Sequence, residues 1–163
     1  VVLAAGLTTA SALDFRSRRI PNVLTAGMAL AGLALSATHV SGVSAAASVL
    51  GIVVGVLLML PGHLLGATGG GDVKLMGAVG AFVGPTLVIT AFLATAVAGG
   101  VLALVVAARR GRVGATLART GRLVTDRKSA QPLIQGAGGA NRFAYGPAIA
   151  IGTLLVVFGR LRG

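Results

Sequence analysis

Residues 75–108 read LMGAVGAFVGPTLVITAFLATAVAGGVLALVVAA, thirty-four consecutive positions without a charged side chain. One helical crossing of a bilayer needs about 20 apolar residues and two need roughly 40. The run is therefore long for one crossing and short for two. Gly84-Pro85, near its middle, offers a natural break. The flanks decide the count. The stretch from Arg109 to Arg142 that follows holds eight basic residues and one acidic one, Asp126. Cytoplasmic loops carry such an excess of Lys and Arg. Earlier in the chain, Asp14, Arg16, Arg18 and Arg19 close the first apolar run. If both basic groups lie on one side, residues 75–108 must cross twice, the first crossing being the shorter.

Working outward from this run, apolar segments are expected at about 23–38, 43–65 and 143–158, the third of these containing Pro147. Pro61-Gly62 marks a kink or an end in the 43–65 segment. The first run, Val1–Leu13, is short for a span, has no basic stretch before it and does not begin with Met. It is expected to be the cytoplasmic end of a longer helix whose earlier residues are missing. The expected fold is all-α: a polytopic membrane helix bundle of about six transmembrane helices, the first truncated. Residues 1–163 form a single transmembrane domain with a basic cytoplasmic loop at about 109–142. Part of that loop, with Arg112, Leu117, Arg119, Arg122 and Val124, has the pattern of a surface-lying segment, and an ordinary basic loop fits as well. The arrangement leaves Arg160 and Arg162 on the outer side.

Composition agrees with a membrane bundle. The chain is 55% hydrophobic and only 10% charged, against about 25% charged in soluble domains. Its 26 glycines suit closely packed membrane helices. The net charge of +11 would suit a nucleic-acid binder, but the basic residues sit in short clusters between apolar runs, as in loops held at an anionic membrane surface. No nucleic-acid partner is expected; the lipid bilayer is. There is no Cys, which removes disulfides, thiol nucleophiles and Cys-based metal sites. His39 and His63 are on different segments and form no metal-ligand pattern, so no metal and no cofactor are expected.

A charge at a membrane is costly, so the three carboxylates are informative. Asp126 lies in a polar stretch and reads as a solvated surface charge. Asp14 and Asp72 sit where an apolar segment meets the cytoplasmic face, each beside basic residues. By composition alone they are equally well counter-charges that anchor helix ends. Their local sequences are Asp14-Phe15-Arg16-Ser17-Arg18-Arg19-Ile20-Pro21-Asn22 and Gly69-Gly70-Gly71-Asp72-Val73-Lys74-Leu75. The second contains Gly-x-Gly-Asp, a weak signal in a glycine-rich chain; the first motif two segments upstream makes it much stronger. Together they resemble the type IV prepilin peptidase family, aspartic leader peptidases of bacterial pili and secretion systems, and in particular the small form that serves Flp or tight-adherence pili. Phe143-Ala144-Tyr145-Gly146-Pro147, at the start of the last segment, is also similar to that family.

The resemblance implies that Asp14 and Asp72 are a catalytic pair that shares one proton and activates water against a peptide bond. It implies a bacterial inner-membrane protein, multi-pass, whose site faces the cytoplasm. The substrate would be a prepilin or pilin-like protein with a short basic leader and a hydrophobic helix, cut after a Gly at the leader's end. Gly69 and Gly71 match the family motif and Gly70 fills its variable position; all three permit unusual backbone angles and let a chain approach closely, room that an extended substrate near Asp72 would need. Lys74 would support the site by its charge, at a carboxylate or at lipid phosphate. Pro21 suits the first turn of the second helix, and Asn22 beside it suits a local capping bond. Arg16, Arg18 and Arg19 are most simply topology determinants. His39 is expected near the outer face; His63, nearer the site, reads first as a packed or interfacial histidine. Tyr145 reads as an interfacial anchor. No Ser has a Lys or His partner for serine-protease chemistry. The larger family members also methylate the new N-terminus and carry a Cys-containing segment; this chain has no such segment, so methylation is not expected. A small transporter would want carboxylates near mid-span, where there are none. A non-enzymatic assembly component would fit if Asp14 and Asp72 were far apart.

Overall fold

In the 75–108 run the local chemistry of Gly84-Pro85 dictates what happens. The computed structural model of the chain describes residues 1–17, 19–38, 42–66, 68–109 and 145–161. Among them are five helices and no strand: α1 (Val2–Ser17), α2 (Asn22–Ala37), α3 (Ala45–Leu64), α4 (Gly70–Arg109) and α5 (Gly146–Leu161). Helix α4 is broken at Gly84, whose φ of 77° and ψ of 178° lie outside any helix. Only glycine occupies that backbone region readily. Pro85 then starts the second limb, its fixed φ suiting a first helical position. A Cβ at Gly84 would meet only Val43 Cγ1 at 3.5 Å and Ala47 at 3.9 Å, so the cost of substitution there is conformational. Gly84→Ala is expected to lower stability by about 1–3 kcal/mol, read as a fall in the thermal unfolding midpoint in detergent.

The break doubles α4 back on itself. Tyr145 lies against Gly99 in the second limb and also feels the charge of Asp72 in the first. A straight helix would put residues 72 and 99 about 40 Å apart, well beyond the reach of such an effect. The limbs 70–83 and 85–109 therefore return to one level.

Glycines set the packing. Gly51 of α3 meets Gly80 backbone to backbone, and Gly55 faces Met76 and Gly77, so α3 runs antiparallel to the first limb. Gly32 of α2 faces Ala81, and Gly152 of α5 faces Thr95 in the second limb. Close approach of backbones through small residues is how helices pack where no water drives association. Ser48 Oγ donates to the Ala81 carbonyl at 2.7 Å in the α3–α4 seam.

Large apolar side chains face outward as well as into the core. The inward face of α3 is Ser48, Gly51, Gly55 and Met59; its outward face carries Val49, Leu50, Val53 and Leu57. The second limb likewise exposes Ile89, Leu93, Val97 and Val101. So large an exposed apolar surface marks contact with something other than water. Helix α3 and the stretch Gly70–Val105 are long and apolar enough to cross a membrane; Asn22–Ala37 and Gly146–Arg160 are shorter apolar helices.

The sequence boundaries shift in three places. Helix α1 continues a turn past Leu13, carrying Asp14 within it. Pro61 lies inside the last turn of α3, and the helix ends three residues later, where Gly66 at φ 75° takes the left-handed position that stops it. The Gly-rich stretch is not a loop throughout, because α4 already begins at Gly70. The basic stretch from 110 to 142 with Asp126, and Arg18, His39, Phe143, Ala144 and Arg162, lie outside the described residues.

Candidate active site

The carboxylates are where burial is most demanding. Asp14, one turn from the end of α1, is 6% exposed, while Phe15, Arg16 and Ser17 after it are exposed. Asp72, in the first turn of α4, is 7% exposed. A carboxylate so enclosed needs hydrogen-bond donors. Each has a backbone N–H from a glycine at the start of a helix. Gly69 N–H donates to Asp72 Oδ2 at 2.9 Å, and Gly146 N–H donates to Asp14 Oδ2 at 2.9 Å.

The Asp72 bond is local. Gly69 stands at the N-cap of α4, its carbonyl accepting from Asp72 N–H at 3.1 Å, while the side chain reaches back to Gly69 N–H. This is the reciprocal half of a capping box, with Asp in the third helical position. The Asp14 bond spans 132 positions and joins α1 to α5. Gly146 touches Asp14, and the Asp72 charge acts on Tyr145. Burial first, and the Asp72 charge second, raise the Tyr145 hydroxyl above its ordinary value of 10, so it remains a donor at neutral pH.

Of the two properties expected of the motif glycines, backbone freedom and room for close approach, the second is the one the geometry uses. None of Gly69, Gly70 and Gly71 has positive φ; that conformation is found at Gly42, Gly66 and Gly84. Their value is space. A Cβ at Gly69 would meet Asp72 Oδ2 at 3.1 Å, and one at Gly71 would meet Ile20 Cβ at 3.1 Å. The second contact brings the Ile20-Pro21-Asn22 segment onto the start of α4. Pro21 is the N-cap of α2 rather than its first helical residue, and its carbonyl accepts from Leu24 and Thr25 N–H.

Asn22 is not a local cap. Its Oδ1 accepts from Lys74 Nζ at 2.8 Å, tying α2 to α4 beside the motif. The partner of Lys74 here is thus an amide across the seam. Because the two act as one exposed contact, Lys74→Met and Asn22→Ala are expected to produce equal, small losses of thermal stability. The double variant should be no less stable than either single one. His63 is exposed, its Nδ1 3.1 Å from the Thr68 carbonyl, and its ring lies 3.6 Å from where a Gly70 Cβ would stand. It borders the glycine segment. Among the described residues no three of His, Cys, Asp or Glu gather to hold a metal ion.

Arg16, Arg19 and Lys74, all exposed, lie at the end of the bundle where the carboxylates are. Arg160, near the far end of α5, is at the other end. Sequence reasoning did not assign Gly146 any part in the site. A backbone donor has no side-chain signature, and the available signal was its place before Pro147 at the start of a helix.

Neither the curated proteins nor the solved structures include a match to this chain. A family model does match: that of the type IV leader peptidase family, over residues 1–104. The matched segment takes in α1, α2, α3 and nearly all of α4, with Asp14, Asp72, Gly69 and Gly71, and it stops before Tyr145 and α5. The family and the two long apolar helices together point to a membrane protein. With most of its length matched and the motif residues inside the match, the chain belongs to the type IV leader peptidase family, and so to the proteases.

Proposed function

We propose that this protein is a membrane-embedded aspartic endopeptidase that removes the short basic leader from type IV prepilins or pilin-like proteins at the cytoplasmic membrane face. The observations that support the reading are two buried carboxylates, 58 positions apart in sequence: Asp14 accepts from Gly146 N–H, and the charge of Asp72 acts on Tyr145 beside it. In the proposed reaction one member of the pair is ionised and the other carries a proton. The ionised member takes a proton from a water molecule as that water attacks the scissile carbonyl carbon. The protonated member gives its proton to the carbonyl oxygen. Collapse of the tetrahedral species then breaks the C–N bond, and the amine leaves with a proton from the pair. Which residue plays which part is a property of the coupled pair rather than of either residue alone.

The bundle would cross the inner membrane of a bacterium six times, with α4 contributing two short crossings. The exposed Arg16, Arg19 and Lys74 support placing the carboxylate end on the cytoplasmic side. A prepilin would keep its hydrophobic helix in the bilayer and lay its leader across the start of α4. The spaces at Gly69 and Gly71, the Asn22–Lys74 contact and the Pro21 turn would shape that approach.

The test is product mapping. The full chain in lipid vesicles is given a synthetic peptide with a short Lys/Arg leader, a Gly and an apolar helix, and the products are weighed by mass spectrometry. A single cut after the Gly is expected. Cleavage scattered along the peptide, or none, would contradict the reading.

A further inference from the structure

The family match ends at residue 104, yet the donor that holds Asp14 comes from residue 146. We infer that Gly146 is a positioning residue for Asp14, so that the peptidase site is completed by the start of α5, outside the segment matched by the family model. The inference rests on the peptidase reading above for its catalytic consequence, but not for its geometry.

Three observations carry it. First, supply and need are matched. Gly146 is the first residue of α5, and the N–H groups of a first helical turn have no acceptor within their own helix. Asp14 is a buried acceptor that α1 itself cannot satisfy with backbone N–H groups, since those are engaged in the helix. The positive end of the α5 dipole also favours a carboxylate at that point. Secondly, glycine is required by space, not by backbone angle. Gly146 is not among the positive-φ glycines. A Cβ there would stand 2.9 Å from Asp14 Oδ2, 3.1 Å from its Cβ and 3.3 Å from its Cγ. Thirdly, the donor is fixed by packing on both sides. A Cβ at Gly99 would come within 2.9 Å of the Tyr145 ring, and Gly152 lies against the backbone of Thr95, so α5 is keyed to the second limb of α4.

The two carboxylates thus differ in how they are held. Asp72 takes its donor from the cap of its own helix, three residues away; Asp14 takes its donor from a separate helix.

Two variants of the full chain separate the N–H from the space. Gly146→Ala adds a Cβ and keeps the donor. Gly146→Pro also removes the donor, at a first helical position where Pro is well tolerated. With the Lys/Arg–Gly–apolar helix peptide as probe, Ala is expected to lower kcat about tenfold and Pro about a hundredfold or more, with KM within about threefold of wild type in both. Thermal unfolding supplies a readout independent of turnover. If Gly146 holds Asp14, the midpoint shifts of Gly146→Pro and Asp14→Ala do not add, and the double variant unfolds near Asp14→Ala alone. Additive shifts, or a Pro variant that keeps kcat within about threefold of Ala, would overturn the inference. Should the wild type not cleave the peptide, the peptidase reading fails, and the thermal cycle alone still decides whether Gly146 holds Asp14. Should Gly146→Pro not fold, the same cycle is run with Gly146→Ala, with non-additive shifts expected and additive ones overturning the inference.

Discussion

Replacing Asp72 by Asn, or Asp14 by Asn, is expected to lower kcat for leader cleavage by about a thousandfold or more, at unchanged protein level in the membrane. Asn keeps the size of the side chain, and its Oδ1 can still accept the N–H that Gly69 or Gly146 offers. What it loses is the ability to take or give a proton. Because the pair acts as one unit, the double variant should be about as slow as either single one. A helix-anchoring role for these charges makes a different prediction. Under it, the Asn variants would assemble poorly, and whatever did assemble would cleave at the normal rate per molecule.

Gly80→Val is expected to be the most damaging substitution for the fold itself. A Cβ at Gly80 would run into the Gly51 carbonyl, and one at Gly51 into the Gly80 carbonyl. Both obstacles are backbone, so no side chain can swing aside. Overpacking of this kind costs about 1–3 kcal/mol when side chains give way, and the upper end or more is expected here. At about 2–4 °C per kcal/mol for a chain of this size, the thermal midpoint should fall by roughly 10 °C. Gly27→Val is the control, since nothing stands within 4 Å of a Cβ at Gly27. The consequence reaches the site, because the α3–α4 seam at Gly51, Gly55, Gly80 and Ser48 orients the limb that carries Asp72. Prior loss of the seam would therefore cost turnover as well as stability.

The helical class was legible because length and apolar runs speak directly to it. The break in the 75–108 run was legible for a chemical reason: a glycine able to take φ 77° followed by a proline suited to start a helix. Family membership was legible because the Asp14–Asn22 and Gly69–Leu75 motifs carry it in side chains, and the family match contains both. The number of crossings was less so, since it depended on charge bias rather than on the helices themselves. For Gly69 and Gly71 the sequence left open whether backbone angle or close approach calls for glycine. Sequence shows that a glycine is present, but not whether φ or a neighbour 3.1 Å away demands it. Asn22 beside Pro21 looked like a cap because local partners are the ones a sequence displays, whereas its partner Lys74 is 52 positions away. Gly146 was invisible in this respect for the same reason, only more so: a main-chain N–H is common to every residue but proline.

The central claim is that Asp14 and Asp72 meet at one end of the bundle around Tyr145 and Gly146. The chain has no cysteine, so it can be probed directly with Asp14→Cys and Asp72→Cys together in one chain. The measurement is intramolecular cross-linking by a short thiol-to-thiol reagent in native membranes, read by mass spectrometry after proteolysis. The account predicts a cross-linked pair of peptides from α1 and α4. Thiols that each react with the reagent yet never join to one another would contradict it.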